Sequence, residues 1–167
     1  AGRGGSRWMH DAVREGIELR VRGPKNHFRL DESAGRYVLI AGGIGVTPIM
    51  AMADRLKQLG KPYEVHYAGR SRESMAFIER LERDHGEVLR LYPKDAGKRL
   101  DLAALLAEPV EDALIYACGP ERLLTALDFD TAHWPEGSLH VEHFTAEGAL
   151  LDPEHEHAFE VELADSE

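Results

Sequence analysis

The stretch Tyr37-Val38-Leu39-Ile40-Ala41-Gly42-Gly43-Ile44-Gly45-Val46-Thr47-Pro48-Ile49-Met50 decides the fold. Val38 to Ala41 is a short apolar run of the kind a parallel sheet buries on both faces. Gly42, Gly43 and Gly45 follow, where a backbone without Cβ can turn sharply and approach a ligand closely. Thr47 suits the cap of a helix and Pro48 its first position, where no N–H is needed. Ile49, Met52, Ala53, Leu56 and Leu59 then recur at three-and-four spacing, which predicts a helix from Ile49 to Gly60. A helix start of this kind offers unpaired N–H groups and a positive dipole end to a phosphate. The pattern is Gly43-x-Gly45-x-x-Pro48, without a third glycine. Glycine turns between strand and helix also occur with no ligand, but strand, turn and helix in this order are the context a dinucleotide pyrophosphate site requires.

Downstream, Tyr63 to Ala68 reads as a second strand, leaving at Gly69-Arg70-Ser71-Arg72-Glu73. A dinucleotide fold places the adenosine ribose near this exit, so Arg70, Ser71 and Arg72 are candidate contacts. His66 reads as a packed or edge histidine, because no second ligand sits at metal spacing. Ser74 to Asp84 is expected to be helical, with Met75, Phe77, Ile78 and Leu81 inward. Val88 to Tyr92 is a third strand, and Asp101 caps a short helix through Leu106. Ala113 to Cys118 is a fourth, buried strand running into Gly119 and Pro120, then a helix from Glu121 to Leu127. Leu139 to Phe144 is a fifth strand. Five alternations of strand and helix predict an α/β fold, an open parallel five-stranded Rossmann-like sheet covered by helices on both faces.

Upstream, Gly4-Gly5-Ser6 opens a short amphipathic helix from Arg7 to Val13, with Trp8, Met9 and Val13 as its inner face. Ser6 is a suitable cap, so this is a second phosphate-capable helix start, or a plain capped surface helix. Ile17 to Val21 alternates as a half-exposed strand. At the other end, residues 145 to 157 are acidic and read as a linker; His155 and His157 lie in it. Phe159 to Ala164 alternates like one more strand. Both ends look cut from a longer protein. The expected division is residues 1–30, 31–145 and 146–167.

At 167 residues the chain suffices for one or two domains with a real core. A formal net charge of −10 excludes a general nucleic-acid binder, which needs a basic face. Cys118 is the one cysteine, so an internal disulfide and a four-cysteine iron–sulfur or zinc site are excluded. No apolar run approaches the length of a membrane span, and no secretory leader precedes the fold. The expected setting is cytoplasmic.

The run Ala41-Gly42-Gly43-Ile44-Gly45-Val46-Thr47-Pro48, followed by Tyr116-Ala117-Cys118-Gly119-Pro120, resembles the pyridine-nucleotide domain of the ferredoxin reductase superfamily. Gly2-Arg3-Gly4-Gly5-Ser6 together with Glu142-His143-Phe144 is similar to its phthalate dioxygenase reductase and vanillate demethylase reductase branch. The resemblance covers nearly the whole chain. It implies a nucleotide domain preceded by the end of a flavin-binding β-barrel and followed by the first strand of a [2Fe–2S] ferredoxin domain. It implies an oxidoreductase that passes electrons from NADH through FMN and a [2Fe–2S] centre to a Rieske-type or similar oxygenase component. By the same resemblance, Gly4, Gly5 and Ser6 hold the FMN phosphate, while Gly42, Gly43, Gly45, Thr47 and Pro48 form the pyrophosphate loop. Cys118, Gly119 and Pro120 lie beside the nicotinamide, and Phe144 lies against the flavin. Cys118 also reads as a buried structural thiol and Phe144 as ordinary core. Arg70 and Arg72 suit the 2′-phosphate of NADPH by charge, whereas the branch mostly uses NADH; NADH is the expectation. The barrel's flavin motif and the cluster cysteines are missing from this chain. A ferric or haem reductase, or a nucleotide-binding module without redox chemistry, are the other readings.

Overall fold

The computed structural model describes residues 5–19 and 26–144. From His27 onward they belong to one compact unit, whereas the short helix α1 (Gly5–Ala12) belongs to another. The larger unit is built on five strands: β1 (Arg36–Gly42), β2 (Tyr63–Gly69), β3 (Leu89–Pro93), β4 (Ala113–Cys118) and β5 (Leu139–Glu142). All neighbours pair in parallel, in the order β3-β2-β1-β4-β5. The chain therefore builds outward from β1 on one side, then crosses back to build outward on the other. The expected sheet is present, with β1 at its centre.

Period-two alternation sorts the strand residues between two cores. Tyr37, Leu39 and Ala41 of β1, with Val65, Tyr67, Tyr116 and Cys118, meet α2 (Val46–Leu59) and α3 (Ile78–His85) on one face. Val38 and Ile40, with Ile115 and Ala117, meet α4 (Leu102–Leu105), α5 (Glu121–Asp130) and Trp134 on the other. A strand buried on both faces must be apolar throughout, which is why Tyr37 to Gly42 is buried without a break. Asp101 caps α4, its carboxylate accepting from the Ala104 N–H at 3.0 Å. His66 is a packed histidine, its Nδ1 2.9 Å from the Tyr92 hydroxyl.

Several local expectations are corrected. Helix α2 starts at Val46, because a tight 3₁₀ turn at Gly43–Gly45 feeds straight into it; its cap is Gly45, not Thr47. Thr47 instead donates its hydroxyl to the Ile44 carbonyl at 3.1 Å. Pro48 is then the third helical residue, which costs nothing since the first four N–H groups have no intrahelical acceptor. The helix expected over 74–84 is broken. Ser71 and Ser74 cap a turn of their own, Met75 turns extended and inward, and Phe77 takes φ +60° with its ring 48% exposed. Helix α5 runs on to Asp130, and β5 stops at Glu142, leaving Phe144 outside the ladder.

Helix α1 starts at Gly5, so Ser6 lies inside its first turn rather than capping it. Met9 is 49% exposed, not inward, because it sits a hundred degrees round the helix from Trp8. Ile17 to Leu19 form no strand: Gly16 turns with φ +90°, the Ile17 N–H donates to the Arg14 carbonyl, and no ladder partner exists among the described residues. Arg20, Val21, His155, His157 and the 159–164 pattern lie outside the described residues, as does Gly4.

Candidate functional site

The order of the strands reverses between β1 and β4, and open parallel sheets bind ligands in the crevice beyond the carboxyl ends of such a pair. Here those ends are Gly42 and Cys118, adjacent through the register Ala41↔Cys118. The two loops that follow pack backbone against backbone. A Cβ on Gly45 would lie 2.0 Å from the Cys118 carbonyl oxygen, and one on Gly119 3.0 Å from the Gly42 Cα. A Cβ on Gly42 would lie 2.8 Å from both Pro120 Cδ and Leu123 Cδ2. Three of the four glycines are thus required by each other. Gly43 differs: it takes φ +57°, a left-handed conformation, and nothing lies within 4 Å of where its Cβ would be. Ile44 beside it is 60% exposed. The turn presents open backbone at the start of a 14-residue helix, and this fits the pyrophosphate of a dinucleotide.

Cys118 ends β4 against the Gly45 turn and is fully buried. Burial pushes its thiol up to about 11, and the Glu142 carboxylate, opposite it in the β4–β5 register, adds to the shift. At neutral pH the sulfur is a neutral S–H, a small apolar surface rather than a nucleophile. Phe144 lies two residues beyond Glu142 and is 52% exposed. Between them His143 donates from Nδ1 to the Glu121 carboxylate of α5 at 3.1 Å, which ties the end of β5 to the helix that begins after Pro120.

The three residues at the β2 exit have different engagements. Ser71 is committed to the turn: its hydroxyl accepts from the Ser74 N–H, and its own N–H donates to the Ser74 hydroxyl, each at 3.2 Å. Arg72 donates to the Glu82 carboxylate of α3 at 2.5 Å, which raises its pKa further. Arg70 is exposed and forms no ion pair with the described residues; its carbonyl accepts from the Asp95 N–H at 3.0 Å. An open groove of about 750 Å³ runs from Arg72 and Glu82 past Tyr92 and Asp95 to Lys98. Gly5 and Ser6 open α1 in the other unit.

Sequence reasoning missed Glu142 and Glu82, since only the sheet register and the α3 packing bring them to Cys118 and Arg72. It also missed the support beneath Cys118. The Tyr116 hydroxyl accepts from the Asp31 N–H, and the Tyr37 hydroxyl donates to the Asp31 carbonyl, both at 2.8 Å. His140 stacks on the Tyr116 ring at 4.6 Å. Among the described residues no cluster of metal-ligating side chains exists, and no helix is long and apolar enough to cross a membrane.

No protein-family model matches the chain. The beta subunit of phenoxybenzoate dioxygenase from Ectopseudomonas oleovorans is 44% identical over 165 residues, covering 98% of this chain and 50% of that one. The chain thus spans about half the length of the curated relatives it matches. Among solved structures, an intact type IV self-sufficient cytochrome P450 monooxygenase superposes with a TM-score of 0.84 at 59% identity, over 95% of this chain and 21% of that one. Phthalate dioxygenase reductase, described as a modular structure for electron transfer from pyridine nucleotides to [2Fe–2S], superposes with a TM-score of 0.78 at 34% identity. The match covers 86% of this chain and 46% of that one.

Proposed function

We propose that this chain, which belongs to the phthalate dioxygenase reductase and vanillate demethylase reductase branch of the ferredoxin reductase superfamily, is the NADH-binding part of an oxygenase reductase. The observation that carries the reading is the meeting of the Gly43–Gly45 turn with Cys118 and Gly119 at the reversal point of the sheet. In this reading the turn, with Gly42, Thr47 and Pro48, receives the pyrophosphate. Arg70 contacts the adenosine side. Ser71 shapes the turn that presents it.

When bound, NADH supplies a hydride and FMN divides the electron pair into single electrons for a [2Fe–2S] centre. This chain's own residues do the placing. Cys118, Gly119 and Pro120 form a close, apolar wall for the nicotinamide, and a neutral thiol there neither competes for the hydride nor carries charge into the site. Glu121 and His143 fasten the segment that carries Phe144, the aromatic that would lie against the flavin. Gly4, Gly5 and Ser6 are the residues that would hold the FMN phosphate. Hydride transfer needs no general acid or base, in keeping with a crevice lined by glycine backbone and a protonated thiol. One cysteine cannot supply four thiolate ligands, so the cluster is carried by sequence other than this chain.

Residues 31–145 are the nucleotide domain in this proposal, residues 1–30 the end of the flavin barrel, and 146–167 the passage to a ferredoxin domain that meets the oxygenase. A supply of NADH makes the setting cytoplasmic. The 59% identity with the self-sufficient monooxygenase favours one second reading, in which the electrons end at a haem on the same polypeptide. The test is calorimetric titration of the full chain with NADH. Saturable binding that disappears in Gly45→Asp is expected; absence of binding by the parent chain overturns the proposal.

A further inference from the structure

The nucleotide reading leaves one feature of the β2 exit unexplained. Gly69-Arg70-Ser71-Arg72 puts two guanidinium groups where a dinucleotide fold meets the ribose. By sequence alone the exit invites a 2′-phosphate. The structure shows that the two arginines are not equivalent. Arg70 forms no ion pair with the described residues, whereas Arg72 turns toward α3 and holds Glu82 at 2.5 Å. Glu79, one turn earlier on α3, adds negative field at the same guanidinium. Asp95 lines the same groove as Arg72, and its N–H donates to the Arg70 carbonyl.

Resting on the nucleotide site proposed above, we infer that Glu82 sets the choice between NADH and NADPH by engaging Arg72 and placing carboxylate charge where a 2′-phosphate would have to enter. A phosphate dianion reaching Arg72 must first break this ion pair and then share the space with Glu82 and Glu79. A 2′-hydroxyl meets neither cost. Both partners of the pair are well exposed, 56% and 38% at their side chains, so the pair contributes little to the fold. It acts on the ligand rather than on folding, and it can be removed cleanly.

Calorimetric titrations of the full chain with NADH and with NADPH test this in the parent, Glu82→Gln, Arg72→Leu and the double variant. In Glu82→Gln the NADPH Kd is expected to tighten roughly 5- to 10-fold while NADH stays within about twofold. The gain should vanish in the double variant and shrink between low and physiological salt, as expected for exposed charges. Normal NADH binding without an NADPH gain overturns the inference and leaves the nucleotide site standing. Weaker NADH binding in Glu82→Gln overturns it too, since Glu82 would then support the site itself. A parent chain that binds neither nucleotide overturns the site and the inference together.

Discussion

Gly45 and Cys118 meet backbone to backbone, with room between them for hydrogen and nothing larger: a Cβ on Gly45 would fall 2.0 Å from the Cys118 carbonyl oxygen. The contact joins the turn after β1 to the end of β4. Relief would require moving backbone, not the tip of a flexible side chain, so the two loops must separate if either gains a methyl group.

Gly45→Ala is therefore expected to lower thermal stability and abolish NADH binding together. Gly43→Ala should separate the two effects. Its site is open, so only the left-handed backbone opposes the change, at a cost of about 1–2 kcal/mol. The fold should survive with weakened nucleotide binding. Thermal melting and titration of both variants check this; equal melting temperatures for the two would contradict the packing described.

Arg70 and Ser71 are expected to respond differently although they are neighbours. Arg70→Leu should weaken NADH severalfold without moving the melting temperature. Ser71→Ala removes the hydroxyl that accepts from Ser74 and should cost about 1 kcal/mol of stability, with a smaller effect on binding. Denaturant unfolding beside titration separates the two.

Cys118→Ala and Cys118→Ser distinguish a wall from a nucleophile. With its pKa pushed up to about 11, the native thiol should remain unreacted with a thiol reagent at pH 7 and react once the chain is unfolded. Cys118→Ala should retain NADH binding within a fewfold. Rapid labelling of the folded chain at pH 7 would contradict the assignment of a neutral, enclosed sulfur.

Stability should fall with acid through His66. Burial, opposed by the nearby Glu64, holds its pKa below the ordinary 6.5. The unfolded chain therefore binds a proton at this residue before the folded chain does. The stability that His66 contributes is full above pH 6.5 and is lost as pH drops through its lowered folded value. Melting temperatures measured from pH 8 to 5 should decline below about 6.5, and less steeply in His66→Gln. A parallel decline in both would remove His66 as the cause.

The sheet was legible because its central strands are apolar on both faces and stop at glycine. Ala113–Cys118 was readable to the residue, and β1 within two. What the sequence hid was decided by contacts between elements. Nothing in the periodicity of 74–84 shows that Ser71 and Ser74 would cap each other and throw Phe77 outward. Thr47 and Pro48 have the composition of a helix start, yet a 3₁₀ turn set the start two residues earlier. Ile17 to Leu19 alternates like a strand, but alternation creates no ladder without a partner. In the site, the glycines announced themselves by position. The partners of Cys118 and Arg72 did not, because Glu142 and Glu82 reach them through register and helix packing.

The adjacency of β1 and β4 also bears on the order in which the chain assembles. Between them in sequence lie β2, β3 and the helices that cover them, so joining Gly42–Gly45 to Cys118–Gly119 closes a long loop. A chain with only β1, β2 and β3 assembled has a glycine turn but no wall facing it. The crevice thus comes into being with the last central pairing, and nucleotide captured during refolding would count completed molecules rather than compact ones.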